Sequence, residues 1–103
     1  MASIRLEMNL HADPWNVWDA VRDVGAIHTR LAPDFVTDVT MDGDARIVTF
    51  ANGMTAKELI VDVDDAARRL VWIADLLPHE LAKPIGGMMQ QGMDAMKKKL
   101  ESA

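Results

Sequence analysis

Period-two alternation opens the chain. Ile4, Leu6, Met8 and Leu10 fall on one side, and Arg5, Glu7, Asn9 and His11 on the other. That spacing predicts a strand with one dry face. Asp13-Pro14 then predicts a helix start, with Asp as the cap and Pro at the first helical position. Trp15, Trp18, Val21 and Val24 recur every three residues, and Gly25 stops the helix. A second short helix is expected over Ala26 to Leu31, ending near Pro33. Its length suits a hinge or lid more than a pillar.

From Phe35 to Ile73 the pattern predicts antiparallel strands. Phe35 to Met41 is the first of them, closed by the turn Asp42-Gly43-Asp44. Arg46 to Phe50 follows, then Asn52-Gly53, a dipeptide favoured in tight hairpins because both residues tolerate positive φ. Thr55 to Val63 alternates Thr55, Lys57, Leu59 and Val61 against Ala56, Glu58, Ile60 and Asp62. Asp64-Asp65-Ala66-Ala67 is the next turn. Arg69 to Ala74 is a last strand without clean alternation, as expected of a strand covered on both faces.

The remainder predicts one long helix. Pro78 sits at its start, and Leu81, Ile85, Met88, Met89, Gly92, Met93, Met96 and Leu100 fall three or four apart. Lys97, Lys98 and Lys99 lie in the last turns, where cations suit the helix dipole. Residues 78 to 102 would span about 37 Å, against a radius of gyration of about 13 Å for a domain of this size. Such a helix must run across the whole sheet. Pro84 and Gly86-Gly87 are expected to weaken or bend its first half.

Composition narrows the function classes. The 103 residues allow one core and one domain, residues 1–103. Lys and Arg number 11 against 16 Asp and Glu, a net charge of -5 that argues against a nucleic-acid surface. The chain has no cysteine, which removes disulfides, thiol nucleophiles and Cys-ligated metals. No apolar run approaches the roughly 20 residues of a membrane span, and the opening residues lack a signal-peptide pattern. A cytoplasmic domain is expected.

Strand, two short helices, strand meander and a long helix rich in Met and Gly form an order that resembles a known family. The passages that carry the resemblance are Asp13-Pro14-Trp15-Asn16-Val17-Trp18, Arg30-Leu31-Ala32-Pro33 with Phe35-Val36, Asn52-Gly53-Met54-Thr55-Ala56-Lys57-Glu58, Val63 to Leu70, and Val71-Trp72-Ile73-Ala74-Asp75-Leu76-Leu77-Pro78. Together they resemble the helix-grip fold of the START-like (Bet v 1-like, SRPBCC) superfamily, in its polyketide cyclase/dehydrase-like branch. Two strands that the family carries before the Trp-Ile-Ala-Asp passage are missing here. The resemblance thus implies an α+β fold with a shortened sheet of about five strands, the first beside the last, and a narrower cavity.

The chemistry open to these residues follows from that picture. Met88, Met89, Met93 and Met96 are half of the chain's eight methionines. With Ile85 they form either a core stripe at helical spacing or the deformable wall of a cavity for a lipid-like or aromatic ligand. Trp18, Phe35, Phe50, Leu59 and Trp72 would be the opposite walls. His11, His28 and His79 lack any i, i+4 pairing, and no metal or cofactor is expected. Asp42, Asp44, Asp62, Asp64 and Asp65 are turn residues. Asp75 matches the family's Asp before the long helix, and it serves either the strand-to-helix join or a site. Arg30 could hold a ligand anion or pair with Asp34 and Asp38.

Three functions are therefore open. The first is a noncatalytic binder of a small hydrophobic molecule. The second, implied by the resemblance, is cyclase or dehydratase chemistry with His28, Arg30, Asp75 or His79 as polar participants. The third is a self-associating module, because a lost hairpin exposes apolar edge, and a homodimer would cover it.

Overall fold

Asp13 caps the first helix as expected, its Oδ1 accepting from the Trp15 amide at 2.8 Å with Pro14 in the first turn. The computed structural model describes residues 5–75 and 85–102 of the chain. Its elements run α1 (Pro14–Arg22), a π-helical turn (Ile27–Leu31), β1 (Val36–Asp42), β2 (Ala45–Phe50), β3 (Thr55–Asp64), β4 (Arg69–Asp75) and α2 (Ile85–Glu101). The fold is α+β: a four-stranded antiparallel meander in the order β1-β2-β3-β4, followed by a C-terminal helix.

Turn chemistry sets the meander. Gly43 and Gly53 take φ of 60° and 87°, conformations that a side chain strains. Asn52 Oδ1 accepts from the Met54 amide at 3.0 Å, and Asp64 Oδ1 from the Ala67 amide at 3.1 Å. The Asn52 Asx turn and the Asp64 side-chain bond three residues on hold the β2–β3 and β3–β4 connections. Pairing then places Val39 opposite Val48, Val48 opposite Ala56 and Arg46 opposite Glu58. Val36, Val48, Phe50 and Ala56 form the sheet's share of the core, joined by Ala20, Ile27, Leu31 and Ala32 from the helical side. Met88, Ala95, Met96 and Leu100 of α2 pack against that cluster.

Several expectations are corrected. Residues 5–13 belong to no strand of the described sheet, although residues 5–10 do alternate between exposed and half-buried. Instead the segment is tied to α2: Lys97 Nζ donates to the Asn9 carbonyl at 2.7 Å, and the His11 amide to Glu101 Oε2 at 2.7 Å. Period two reports an extended chain with one dry side, and a helix can supply that dryness as well as a sheet can. The helix expected over Ala26 to Leu31 is a single π turn, closed by the Ala32 amide on the Ile27 carbonyl at 2.8 Å. Trp15 is 66% exposed rather than inward, with the Arg68 guanidinium 4.8 Å from its ring. The last strand is not covered on both faces either. β4 ends the sheet, and Trp72 and Ile73 on its two faces are both exposed. Pro78, Leu81 and Pro84, expected in the long helix, lie outside the described residues.

Candidate functional site

The Phe35 and Phe50 rings meet with centroids 5.1 Å apart, tilted by 60°. They floor a cleft of about 430 Å³ between α2 and the entry to β1 and exit from β2. Ala51 and Asn52 extend the floor, while Gln91, Asp94, Ala95 and Lys98 line the helix side at spacings of three and four. Gly92 lets the helix approach this closely, since a Cβ there would lie 3.1 Å from the Phe35 ring. At one rim Lys98 Nζ and Asp34 Oδ2 pair at 3.0 Å across solvent. The cleft therefore offers an aromatic floor with cationic, anionic and amide groups at its edge.

The expected cavity wall divides. Phe35 and Phe50 are brought together in the cleft. Trp18 is buried elsewhere, its indole Nε1 donating to Asp65 Oδ1 at 2.9 Å, so it ties α1 to the β3–β4 turn. That bond and the Arg22 guanidinium hold the Asp65 carboxyl below its ordinary range. Leu59 is on the opposite face of the sheet from Phe50. The inward set of β3 is Ala56, Glu58 and Ile60, and its partner set exposes Leu59. Met88 and Met96 pack against the core, Met93 is half-buried and Met89 is exposed. His79 lies outside the described residues, as do the side chains of Asp75 and Ile85.

Arg30 is already engaged. Its guanidinium bonds Asp19 Oδ2 at 2.6 Å and Asp23 Oδ2 at 2.9 Å, not the expected Asp34 and Asp38. Hydrogen bonding by Asp19 and then Asp23 raises the Arg30 pKa, and Arg30 in turn lowers that of Asp19. It lines a second cleft, of about 370 Å³, with His11, Asn16 and Lys99. His28 Nδ1 is buried with no hydrogen-bond partner among the described residues. Among those residues no cluster of three His, Asp or Glu side chains is set to hold a metal ion, and no helix is long and apolar enough to cross a membrane.

One charged pair escaped the sequence reading. Arg46 and Glu58 are 3% and 8% exposed, opposite each other on β2 and β3, with Nε to Oε1 at 2.6 Å. Arg46 Nη1 also donates to the Val24 carbonyl at 3.1 Å, and its guanidinium lies 5.3 Å from the Trp72 ring centre. The signal was present. Arg46 shares its parity with Val48 and Phe50, and Glu58 with Ala56 and Ile60, so two opposite charges occupy core positions of adjacent strands.

No family model matches this chain, and neither does any curated protein or solved structure.

Proposed function

We propose that this domain binds a small, largely apolar molecule on the Phe35–Phe50 floor, with a polar or anionic end at Lys98, Gln91 and Asn52. The supporting observation is the cleft itself: about 430 Å³, aromatic at the base and polar at the rim. Sites for small ligands have volumes of roughly 300–1,000 Å³ and this same division between apolar walls and a few polar groups. The meander, the C-terminal helix and the passages quoted above favour a shortened helix-grip domain of the START-like superfamily, whose members hold ligands between sheet and helix. The cyclase or dehydratase alternative has less support, because Arg30 is committed to Asp19 and Asp23.

Thermal shift with decanoate, decanol and 2-naphthol tests the proposal. A ligand at a hundredfold excess over its Kd adds about 2.7 kcal/mol to stability. At about 4–8 °C per kcal/mol for a chain of this size, the midpoint should rise by roughly 10–20 °C. Ala95→Phe should fill the cleft and abolish the shift, and Lys98→Ala should reduce it for decanoate more than for decanol. No shift with any of the three probes, or a shift unchanged in Ala95→Phe, would refute the site.

A further inference from the structure

The two edges of the sheet are built differently. β1 (VTDVTMD) carries Asp38 within it and Asp42 at its end, shifts register between Val36 and Asp38, and packs beside the π-helical turn. Charges and irregularities of this kind keep an edge from pairing with another strand. β4 (RLVWIAD) carries no charge between its ends, and the register shift in its ladder lies on the β3 side, between Ile60 and Asp62. Leu70 to Ala74 is an unbroken apolar run, without Pro, Gly or charge, and among the described residues nothing pairs with its outer side. Trp72 is 45% exposed on one face, and Ile73 is 62% exposed on the other. Ile73 pairs with Leu59 and extends an exposed apolar stripe that reaches Ile47 on β2.

This strand is also complementary to itself. Antiparallel pairing of two copies about a two-fold axis at Trp72 sets residue 72 opposite 72, 71 opposite 73, 70 opposite 74 and 69 opposite 75. Position 69 of each copy then lies opposite position 75 of the other, twice, an arginine against an aspartate in the sequence, and every position between is apolar against apolar. A one-residue slip would lose both charge pairs.

We propose that β4 is the homodimer interface of this protein. It joins the four-stranded sheets of two copies into one continuous antiparallel sheet, in the register centred on Trp72. The contact is isologous, as closed two-fold dimers require. It removes the unprotected edge from solvent and carries the Ile47–Leu59–Ile73 stripe across both copies. It is independent of the Phe35–Phe50 cleft, which lies at the β1 and β2 side of the sheet.

Light scattering on the whole chain from about 1 µM to 1 mM should give twice the chain mass in the upper part of that range. Arg69→Asp turns both charge pairs repulsive and should weaken the dimer about tenfold to a hundredfold. Arg69→Asp with Asp75→Arg should restore it. The chain has no cysteine, so Trp72→Cys gives a second route, independent of the charge variants' folding. Opposed strand residues lie within disulfide reach, so mild oxidation should cross-link Trp72→Cys to a dimer and leave Thr40→Cys on β1 monomeric. A chain that stays monomeric throughout overturns the proposal. So does a dimer that cross-links through residue 40 rather than 72, or one that the charge swap fails to restore. Amides of β4 protected from hydrogen exchange in a monomer would show that the chain covers this edge itself, and would also overturn it. Ala95→Phe should leave the dimer intact, which separates this interface from the ligand cleft.

Discussion

The Arg46–Glu58 pair yields the sharpest expectation for stability. Both side chains are almost wholly removed from water, at 4% and 11% exposure, and their contact is short at 2.6 Å. Deleting one partner of a buried pair costs about 3–5 kcal/mol, because the other charge stays desolvated. The two deletions are not equivalent here. Without Glu58, Arg46 keeps the Val24 carbonyl and the Trp72 ring. Without Arg46, both the Glu58 carboxylate and the Val24 carbonyl lose a donor. Losing the part-buried bond to the Val24 carbonyl adds about 1 kcal/mol, so Arg46→Met should be the costlier change, at about 4–6 kcal/mol, and Glu58→Gln should cost about 3 kcal/mol. A domain of this length has only about 5–15 kcal/mol in total. At about 4–8 °C per kcal/mol, Glu58→Gln should lower the melting midpoint by roughly 12–24 °C. The double change Arg46→Met with Glu58→Met should recover most of the loss, since an apolar replacement removes both desolvation penalties. Urea unfolding followed by circular dichroism measures all three. Losses below about 1 kcal/mol for both single variants would place the pair among ordinary solvated surface bridges and refute the reasoning.

Further outcomes follow from other contacts. Asp65 is held below its ordinary pKa of 3.8 by the Trp18 indole and then Arg22, so its contribution is present above that value and lost as pH falls through the lower folded one. Asp65→Asn should therefore lower the midpoint at pH 7 and flatten its decline below about pH 4; parallel melting curves would contradict this. His28→Leu removes a buried nitrogen that has no partner among the described residues and should stabilise by about 1 kcal/mol in urea unfolding, whereas a loss would mean that His28 has a bonding role. Gly92→Ala gains about 1 kcal/mol of helix propensity. It also drives a methyl to 3.1 Å from Phe35, a ring already packed on Phe50. Overpacking of about 1–3 kcal/mol should win, and a raised midpoint would show that the ring can give way.

What the sequence determined by itself was local. Asp13-Pro14, Asn52-Gly53 and the Asp64 turn each carry their own backbone chemistry, so the start of α1 and the hairpins of β2–β3 and β3–β4 were legible from neighbouring residues. Strand parity was legible too, because alternate side chains must point to opposite faces. Which parity faces the core was not. Thr55-Lys57-Leu59-Val61 and Ala56-Glu58-Ile60-Asp62 are each mixed, and only Arg46 across the register makes the inward turn of Glu58 tolerable. The candidate site divided along the same line. Phe35 and Phe50 could be chosen as apolar residues, but their meeting beneath Gly92 depends on where α2 comes to rest. Residues 5–10 show the limit most plainly. Their alternation specifies an extended chain with one dry side, and the tertiary structure decided that α2 would hold it, through Lys97 and Glu101, rather than a neighbouring strand. Period and turn type are properties of a few consecutive residues, whereas the partner of a face is a property of the whole packed chain.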